Sequence, residues 1–574
     1  VRIARLIAMQ NVDPASVLAI TFTNKAAEEM AGRLAGLLGH KTAGQIVIKT
    51  FHAFGAMLLR QAGDRLGLSP HFAIAAEADQ QTVLKACYPQ AGSREINDWL
   101  AAISAAKSQA LTPDETEGDF ADIYRTYETA LHKNALVDFD DLVLKAVQLL
   151  EQHHDLQAAY RQRFHWLSVD EFQDVNAVQY RLLQQLIGPE TSVCLIGDPD
   201  QAIYGFRGAT PRFFAQFVRD YAPVETLHLS QNYRSTQLIL DASVQVIEKS
   251  AASERVRIFS EILDPTRLTL YQAPTEAAEA EYVVHTIEKM IGGTSYFSLD
   301  SARVDDDGVA GLSFADFAIL YRLSAQSRSL VEAFERSGIP YQTVGQTPLV
   351  EYKDVRLVLA CLWYLFNPAH RFYLDEHFSK MNASALAALL SDLVASGLRP
   401  LPELIDLIQH ELMARALLPG SDSSHARIQQ LRRRSVLFDR RLGDFLEAVL
   451  LQNETDFYDP RADRVTLMSL HAAKGLEFPV VFIVGCESEL LPYHRAGEAP
   501  DLEEERRLFY VGMTRAQQRL ILTRAKSRVL FGQRMENPPS PFLDDIEQAL
   551  KEIEQARYRK PIKEGPEHVQ LKLF

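Results

Sequence analysis

Two acidic side chains, Asp170 and Glu171, come directly after a short apolar run that is typical of a buried strand. A second run of this kind, residues 192–196, ends just before Asp198, and a helical pattern over residues 177–186 separates the two runs. This order predicts a parallel α/β sheet, whose ligands bind at the carboxyl ends of the strands. Carboxylates at that edge suit a hydrated Mg²⁺ ion whose other ligands are phosphate oxygens.

These residue types predict phosphoryl-transfer chemistry. Asp170 would hold the metal ion, Glu171 could orient an attacking water molecule, and Gln201 is placed to sense a γ-phosphate. An isolated Asp-Glu pair more often caps a strand in a solvated loop, so the hypothesis depends on motifs elsewhere in the chain.

The chain of 574 residues is too long for one hydrophobic core and implies about three or four domains. Its apolar content of 47% and charged content of 24% are those of ordinary globular proteins. We see no apolar run long enough to span a bilayer and no signal peptide, so we expect a cytoplasmic protein without a membrane partner. The net charge of −15 does not indicate a nucleic-acid binder, but binding needs only a local basic stripe.

Alternating strand and helix patterns predict two α/β units, each interrupted by a helical stretch. For the first unit we predict strands at residues 16–21, 45–49, 164–169 and 192–196, helices at 26–38 and 177–186, and a helical insertion at 60–162. For the second we predict strands at 225–233, 267–272, 314–321, 340–344, 464–469, 480–484 and 520–523, helices at 327–338 and 503–519, and a helical stretch at 361–464. Beyond residue 539 we expect a short helix and then a disordered polar tail.

The segment Phe22-Thr23-Asn24-Lys25 follows the first predicted strand. Its aromatic ring could stack on a base while its polar groups contact the backbone of a single nucleic-acid strand. A capped helix start with a phenylalanine in the core explains the same residues equally well.

Seven motifs follow one another between about Val17 and Leu522: TFTNKAAEEM, TFHAF, DEFQD, GDPDQAIYGFRGA, QNYRS, TLMSLHAAKGLEF and EEERRLFYVGMTRA. Together they resemble the UvrD/Rep/PcrA family of superfamily 1 DNA helicases, which move 3′ to 5′ on single strands. The resemblance implies an α/β fold with two RecA-like P-loop NTPase domains, each a parallel sheet with a helical insertion. It also implies ATP between the two domains and single-stranded DNA across both.

The resemblance divides the chain into five parts. These are a first RecA-like domain (residues 1–60 and 163–224), its helical insertion (61–162), a second RecA-like domain (225–360 and 464–535), a reduced helical accessory insertion (361–463) and a tail (536–574).

In the first domain the resemblance implies catalytic and DNA-contacting residues. Asp170 and Glu171 would bind Mg²⁺ and provide the general base, and Gln201 would couple the γ-phosphate to the DNA site. The residues expected to line the DNA path are Phe22, Thr23, Asn24, His52, Tyr204, Phe206 and Arg207.

In the second domain the resemblance implies residues that contact the nucleotide. Arg234 and Arg515 would reach the γ-phosphate, and Tyr233 would stack on adenine. Gly475 and Glu477 would contact the sugar and the phosphates.

The family's phosphate-binding loop, G-x-x-x-x-G-K-[ST], should lie immediately before Val1, and neither it nor the adenine-binding glutamine upstream of it is in the sequence. We therefore expect the first RecA-like domain to lack its N-terminal part. Without the amides and lysine of that loop, ATP hydrolysis by the chain as written is expected to be impaired. The alternative is a catalytically inactive DNA-binding or sliding-clamp-associated protein.

The last residues resemble the short peptide that docks bacterial replication proteins on the sliding clamp. Gln570, Leu571, Leu573 and Phe574 combine apolar anchors with a terminal aromatic ring, which suits a hydrophobic groove. An arbitrary apolar end is an equal alternative because short matches are common.

The sequence thus predicts an ATP-dependent 3′–5′ DNA helicase or single-strand translocase that uses ATP and Mg²⁺ in DNA repair, recombination or replication restart. Its partners would be single-stranded and duplex DNA, and its place the bacterial cytoplasm and nucleoid. A nuclease-linked recombination helicase is a rival within the family, but it needs a carboxylate-rich nuclease domain, and the segment after Leu522 is too short for one.

Overall fold

The computed structural model describes residues 1–250, 257–292, 311–345, 349–368, 372–378, 380–395, 399–418, 420–451, 458–494 and 501–555. Within these residues the chain forms two compact units, one of Val1–Leu227 with Val344–Tyr458 and one of His228–Thr343 with the residues from Asp459 onward. Each unit holds a parallel sheet with helices against it, which confirms the α/β class expected from the sequence.

The strands described in the first unit are β1 Val17–Thr21, β2 Val47–Thr50, β3 Ala73–Ala75, β4 Leu136–Asp138, β5 Trp166–Val169 and β6 Ser192–Leu195. One parallel sheet has the order β2-β1-β5-β6, and β3 pairs with β4 inside the helical insertion. Strand β1 is buried on both faces, with Leu18 and Ile20 in one core cluster and Val17 and Ala19 in another, which explains its uninterrupted apolar sequence. Because the strands are parallel, the carboxyl ends of β1, β5 and β6 meet at one edge.

Helices α1 to α11 complete this part of the first unit: Arg2–Gln10, Asn24–Leu38, His40–Ala43, Phe51–Ala62, Glu77–Cys87, Ser93–Ser108, Gly118–Lys133, Phe139–Gln152, His154–Arg163, Ala177–Leu186 and Arg212–Asp220. The side chains of Thr23, Thr50 and Asn176 accept hydrogen bonds from the first turns of α2, α4 and α10. These helices therefore begin where the sequence supplies a capping residue.

The strands described in the second unit are β7 Gln231–Asn232, β8 Phe259–Ser260, β9 Leu268–Thr275, β10 Phe317–Tyr321, β11 Tyr341–Thr343, β12 Val465–Ser469, β13 Phe478–Ile483, β14 Ala516–Leu530, β15 Gln533–Met535 and β16 Lys551–Gln555. The main sheet has the parallel order β11-β12-β10-β13-β14-β9-β16, and β15 joins β14 in antiparallel fashion. Helices α12 Gln237–Ile247, α13 Glu276–Ile291 and α14 Ser327–Ser337 also belong to this unit.

The accessory stretch is helical, as the sequence predicts. Its helices are α15 Lys353–Phe366, α16 Phe372–His377, α17 Lys380–Ala395, α18 Leu401–Ala414, α19 Asp422–Ser435 and α20 Leu442–Leu450. They share one hydrophobic core with α5 to α7 of the insertion at 61–162. Arg356 forms an ion pair with Asp79, and the Tyr373 hydroxyl donates to the Ile74 carbonyl at 3.1 Å, so the two helical stretches form one body within the first unit.

The prediction of a strand at residues 225–233 is wrong over most of that stretch. Only Gln231–Asn232 pair with a neighbour, and the side chains of Leu227 and Leu229 are exposed. Alternating apolar and polar residues favour a strand, but a strand also needs a partner, which local sequence does not reveal.

Two further elements near the C-terminal end also differ from expectation. The helix predicted at 503–519 ends at Met513 (α21, Leu502–Met513), because residues from Ala516 onward pair with β13 and β9. Lys551–Gln555, expected to lie in an irregular tail, forms an edge strand beside β9. In both places sheet pairing overrides the local preference of the sequence. No helix in the described part of the chain is both long and apolar enough to cross a membrane.

Candidate functional site

The carboxylates singled out in the sequence lie at the carboxyl edge of the first sheet. Val169, the last residue of β5, pairs with Ile20 of β1 and Leu195 of β6. The backbone N–H of Asp170 donates to the Ile20 carbonyl at 2.9 Å, so the ladder reaches one residue past the strand. Asp170 and Glu171 therefore leave the sheet beside the end of β6, close to the segment that begins at Gly197.

A hydrogen-bonded chain of side chains connects this edge to Gln201. The Gln173 amide donates to the Glu171 carboxylate and accepts from the Asp198 backbone N–H at 3.1 Å. The Asp198 carboxylate in turn accepts from the Gln201 side chain at 2.8 Å. Gln173 and Asp198 belong to the same motifs as Glu171 and Gln201, but their connecting role follows only from the structure.

The donor set at this edge fits Mg²⁺. Asp170, Glu171 and Asp198 offer carboxylate oxygens, which are the protein ligands this ion prefers, and all three side chains are only partly buried. A hydrated ion that also binds phosphate needs such a partly open position.

The segment after β1 has the capped-helix geometry that the sequence left open as an alternative. The Thr23 hydroxyl accepts from the Ala26 N–H at 3.1 Å, and the partly buried Phe22 ring packs edge-on against Phe51 with 5.6 Å between centroids. The Asn24 amide donates to the Leu451 carbonyl at 2.6 Å within the same unit. DNA contacts by Phe22, Thr23 and Asn24 remain a prediction.

An aromatic platform lies a few residues beyond Gln201. Tyr204 and Phe206 have ring centroids 6.0 Å apart, and the Arg207 guanidinium lies 5.7 and 5.5 Å from the two rings. Phe206 is 67% exposed, so its ring is accessible to a partner. Aromatic faces next to a cation are the groups that bind single-stranded nucleic acid.

His52 lies beside the same loop. Its ring packs against Phe139 with 4.6 Å between centroids. Burial, and secondarily the positive charge of Arg207, lower the pKa of His52 from 6.5 to about 4. The imidazole is therefore neutral at neutral pH and can meet DNA by hydrogen bonding or packing, not as a cation.

The lowered pKa of His52 predicts a pH dependence of stability. Between about pH 4 and 6.5 the unfolded chain takes up a proton at His52 that the folded chain does not, so stability falls as the pH falls. Between pH 7 and pH 5 we expect the free energy of unfolding of the unsubstituted protein to drop by about 1–2 kcal/mol more than that of the His52→Asn variant. Denaturant titrations at both pH values measure this difference. His40→Asn, at an exposed histidine, should behave like the protein, and an equal drop in His52→Asn would contradict the assignment.

In the second unit the QNYRS turn is fixed by side-chain hydrogen bonds. The Asn232 side chain accepts from the backbone N–H of Arg234 at 2.8 Å and of Ser235 at 2.9 Å. The Arg234 guanidinium forms an ion pair with Glu477 at 2.6 Å, so two predicted nucleotide-contacting residues meet. Tyr233 is 78% exposed, and its hydroxyl donates to the Gln231 side chain at 2.7 Å. Its stacking on adenine stays a prediction.

Gly475 and Arg515 shape the loop that carries Glu477. Gly475 has a φ of +80°, a left-handed conformation that favours glycine. The Arg515 guanidinium is buried and donates to the carbonyls of Val511 at 2.9 Å and Leu476 at 3.2 Å. Its predicted contact with a γ-phosphate requires it to leave these acceptors.

A second group of carboxylates, in the helical insertion, has a structural explanation. Glu128, Asp138 and Asp141 surround the ammonium group of Lys107, which is fully buried and lies 2.6 to 2.8 Å from each of them. Lys145 also forms ion pairs with Glu128 at 2.6 Å and Asp141 at 3.3 Å, and the two lysines together supply the positive charge that these acids need.

Comparison with known proteins identifies the family. Residues 1–222 match the UvrD/REP helicase N-terminal domain, and residues 227–415 and 422–527 match the UvrD-like helicase C-terminal domain. The chain belongs to the UvrD/Rep helicase family. Similar proteins include the ATP-dependent DNA helicase PcrA of Leuconostoc citreum, 33% identical over 96% of this chain and 81% of that protein. The ATP-dependent DNA helicase PcrA of Staphylococcus epidermidis is 32% identical over 98% of this chain and 84% of that protein.

Membership of the UvrD/Rep family confirms the resemblance carried by the seven motifs and the RecA-like character of the two sheets. The N-terminal family domain contains Asp170, Glu171 and Gln201, and the C-terminal one contains Arg234 and Glu477. Each of these two sets lies inside one compact unit.

Proposed function

We propose that the protein is an ATP-dependent DNA helicase that moves 3′ to 5′ on single strands and acts at the nucleoid in DNA repair, recombination or replication restart. The proposal is supported by the contacts of one short segment, residues 198–207, which we call the 198–207 loop. It holds Gln201, connected by hydrogen bonds to the carboxylate edge, and the aromatic platform of half-buried Tyr204 with exposed Phe206 and Arg207. A loop with nucleotide chemistry at one end and a stacking surface at the other suits ATP-driven movement on DNA.

The proposed hydrolysis uses residues of both RecA-like domains and the family's phosphate-binding loop, which is expected immediately before Val1. Each ATP-dependent assay proposed for this protein therefore uses a chain that carries that loop. Asp170 and Glu171 would hold Mg²⁺, which supplies positive charge to the phosphates of ATP. The Glu171 carboxylate would accept the proton of the attacking water, and the Gln201 amide would donate to the γ-phosphate. The cationic side chains of Arg234 and Arg515 would stabilise the charge that develops on the transferred group.

The remaining predicted residues would bind the two substrates. Tyr233 would stack on the adenine ring, and Gly475 and Glu477 would contact the sugar and phosphates of ATP. The DNA strand would contact Phe22, Thr23, Asn24, His52, Tyr204, Phe206 and Arg207. Cycles of ATP binding and hydrolysis would then move stacked bases along this path.

The aromatic platform gives the proposal a binding test. Phe206→Ala removes an exposed face on which a base can stack, so we expect affinity for a single-stranded oligonucleotide to fall about tenfold. Fluorescence anisotropy with a labelled oligonucleotide measures the change. Phe206→Trp should keep the affinity, because it keeps the stacking face.

Phe531→Ala is the matched control for this test. Phe531 is also highly exposed but lies in the second unit, outside the predicted DNA path. Loss of the Phe531 ring should leave the affinity for DNA within about twofold of that of the unsubstituted protein. If Phe206→Ala and Phe531→Ala bind DNA equally well, the platform does not stack bases.

The direction of movement is tested by strand displacement. A duplex with a 3′ single-stranded tail should be unwound in the presence of ATP, because the protein would load on the tail and move toward the duplex. A matched duplex with a 5′ tail should remain paired. The opposite preference would contradict 3′–5′ movement.

We also propose that the C-terminal peptide binds a sliding clamp. Gln570, Leu571, Leu573 and Phe574 lie outside the described residues, so the proposal rests on their sequence alone. Deletion of Leu573 and Phe574 should weaken binding to purified clamp by about tenfold or more, because it removes the two terminal apolar anchors. Surface plasmon resonance measures this affinity, and an unchanged value would contradict the proposal. Lys572→Ala, which keeps both anchors, is the control.

A further inference from the structure

Gln173, in the DEFQD segment of the first unit, has a fully buried polar side chain that contacts the GDPDQ segment. Its amide nitrogen donates to the Glu171 carboxylate, and its amide oxygen accepts from the Asp198 backbone N–H. A carboxylate only accepts and a backbone N–H only donates, so these partners fix the orientation of the amide.

The surroundings of Gln173 leave little freedom for another arrangement. A Cβ atom at Gly197 would lie 2.3 Å from the Gln173 amide oxygen and 2.9 Å from the Phe214 ring. Glu171 has a φ of 52°, a left-handed conformation that costs a residue with a side chain about 1 kcal/mol. Gln173 thus lies between Gly197, where there is no room for a side chain, and Glu171, whose backbone is strained.

The contacts continue into the 198–207 loop. The Asp198 carboxylate accepts from the Gln201 side-chain amide at 2.8 Å and from the Asp200 N–H at 3.0 Å. Glu171 is therefore connected to Gln201 through two residues, Gln173 and Asp198. The Asp198–Gln201 contact also precedes the aromatic platform by only a few residues.

We propose that Gln173 is a positioning residue that couples the 198–207 loop to Glu171. A shift of this loop on contact with DNA would move Asp198, and Gln173 would pass the shift to the carboxylate that accepts the proton of the attacking water. Gln173 itself contacts neither ATP nor DNA in this scheme. This inference rests on the proposed ATP hydrolysis. It holds that the rate of hydrolysis depends on DNA through Gln173.

Two substitutions interrupt the connection at different points. In Gln173→Met, a side chain of similar length can neither accept from the Asp198 N–H nor donate to Glu171. In Asp198→Ala, the carboxylate that accepts from Gln201 is removed. For each we expect kcat of ATP hydrolysis at saturating single-stranded DNA to fall about 10- to 100-fold, toward the rate without DNA, while the rate without DNA and the KM for ATP change less than about threefold. The double variant should be no slower than the slower single variant, because both interrupt one connection.

Gln179→Ala is the control for loss of a buried glutamine. The Gln179 side chain is also buried and accepts from the Asn176 N–H at the start of α10, but it does not join the two motif segments. This variant should keep kcat within about twofold even if its melting temperature falls.

The outcomes separate the inference from the proposed function. If the protein hydrolyses ATP and both single variants keep kcat within about threefold, or if their effects simply add, the positioning role is wrong. If Gln173→Met does not fold, Asp198→Ala alone decides, since Asp198 is only partly buried. A protein that hydrolyses no ATP would overturn the proposed function and this inference with it.

Discussion

Replacing Glu171 with glutamine is expected to lower kcat for ATP hydrolysis by about 10³-fold while leaving ATP binding nearly unchanged. The amide keeps the size of the side chain and can still accept from Gln173, so the local hydrogen bonding survives. It cannot accept a proton from water at neutral pH. The loss should therefore appear in the chemical step, which single-turnover hydrolysis of labelled ATP measures directly.

Glu190→Gln is the control for this substitution. Glu190 is an exposed carboxylate near the end of α10 and takes no part in the proposed chemistry. It should hydrolyse ATP at the rate of the protein. A Glu171→Gln variant that keeps more than about a tenth of the rate would show that another group accepts the proton.

Arg234→Ala is expected to reduce kcat by about 10³-fold, in the range found when an arginine that stabilises phosphoryl transfer is lost. Its guanidinium is partly exposed and forms an ion pair with Glu477, a residue predicted to contact the same nucleotide. On ATP binding the guanidinium would exchange this carboxylate for phosphate oxygens, which are more highly charged. Steady-state ATPase assays with and without single-stranded DNA measure the effect.

The fold should survive Arg234→Ala. Glu477 is half exposed, so removing its partner leaves no buried, uncompensated charge. Arg328→Ala removes an exposed arginine from the same unit, one that pairs with Glu332 on α14, and should leave kcat unchanged. Equal rates for the two variants would exclude Arg234 from the chemistry.

Elements with a strong local signal could be predicted from the sequence. Residues 177–186 form the expected helix because Asn176 caps it and its apolar residues recur at helical spacing. Strands β1 and β5 could be predicted because both are continuous apolar runs that the sheet buries.

Elements that depend on distant partners could not be predicted in the same way. The stretch at 225–233 has strand-like alternation but lacks a neighbour along most of its length, and Ala516–Leu530 pairs with strands far away in sequence. The shared core of the two helical stretches is another such case, since amphipathic helices reveal an apolar face but not the surface it packs on.

The candidate site likewise combines residues that sequence motifs indicate with contacts that depend on distant parts of the chain. Asp170, Glu171 and Gln201 could be selected as candidates from motifs, and the structure connects Glu171 to Gln201 by hydrogen bonds, while their catalytic roles stay a prediction. The position of Gln173 between them depends on the close approach of β5 and β6 ends, and the burial of Arg515 depends on the carbonyls of another segment. Such contacts are set by tertiary packing and have no local signature.

The measurement that tests the central claim most directly is the rate of ATP hydrolysis by the protein, in Mg²⁺, with and without a single-stranded oligonucleotide. We expect hydrolysis that rises with oligonucleotide concentration and saturates, because the 198–207 loop connects the aromatic platform to the carboxylate edge. Hydrolysis that does not respond to DNA would contradict that connection. DNA binding without any hydrolysis would contradict the helicase proposal and favour a DNA-binding protein without catalytic activity.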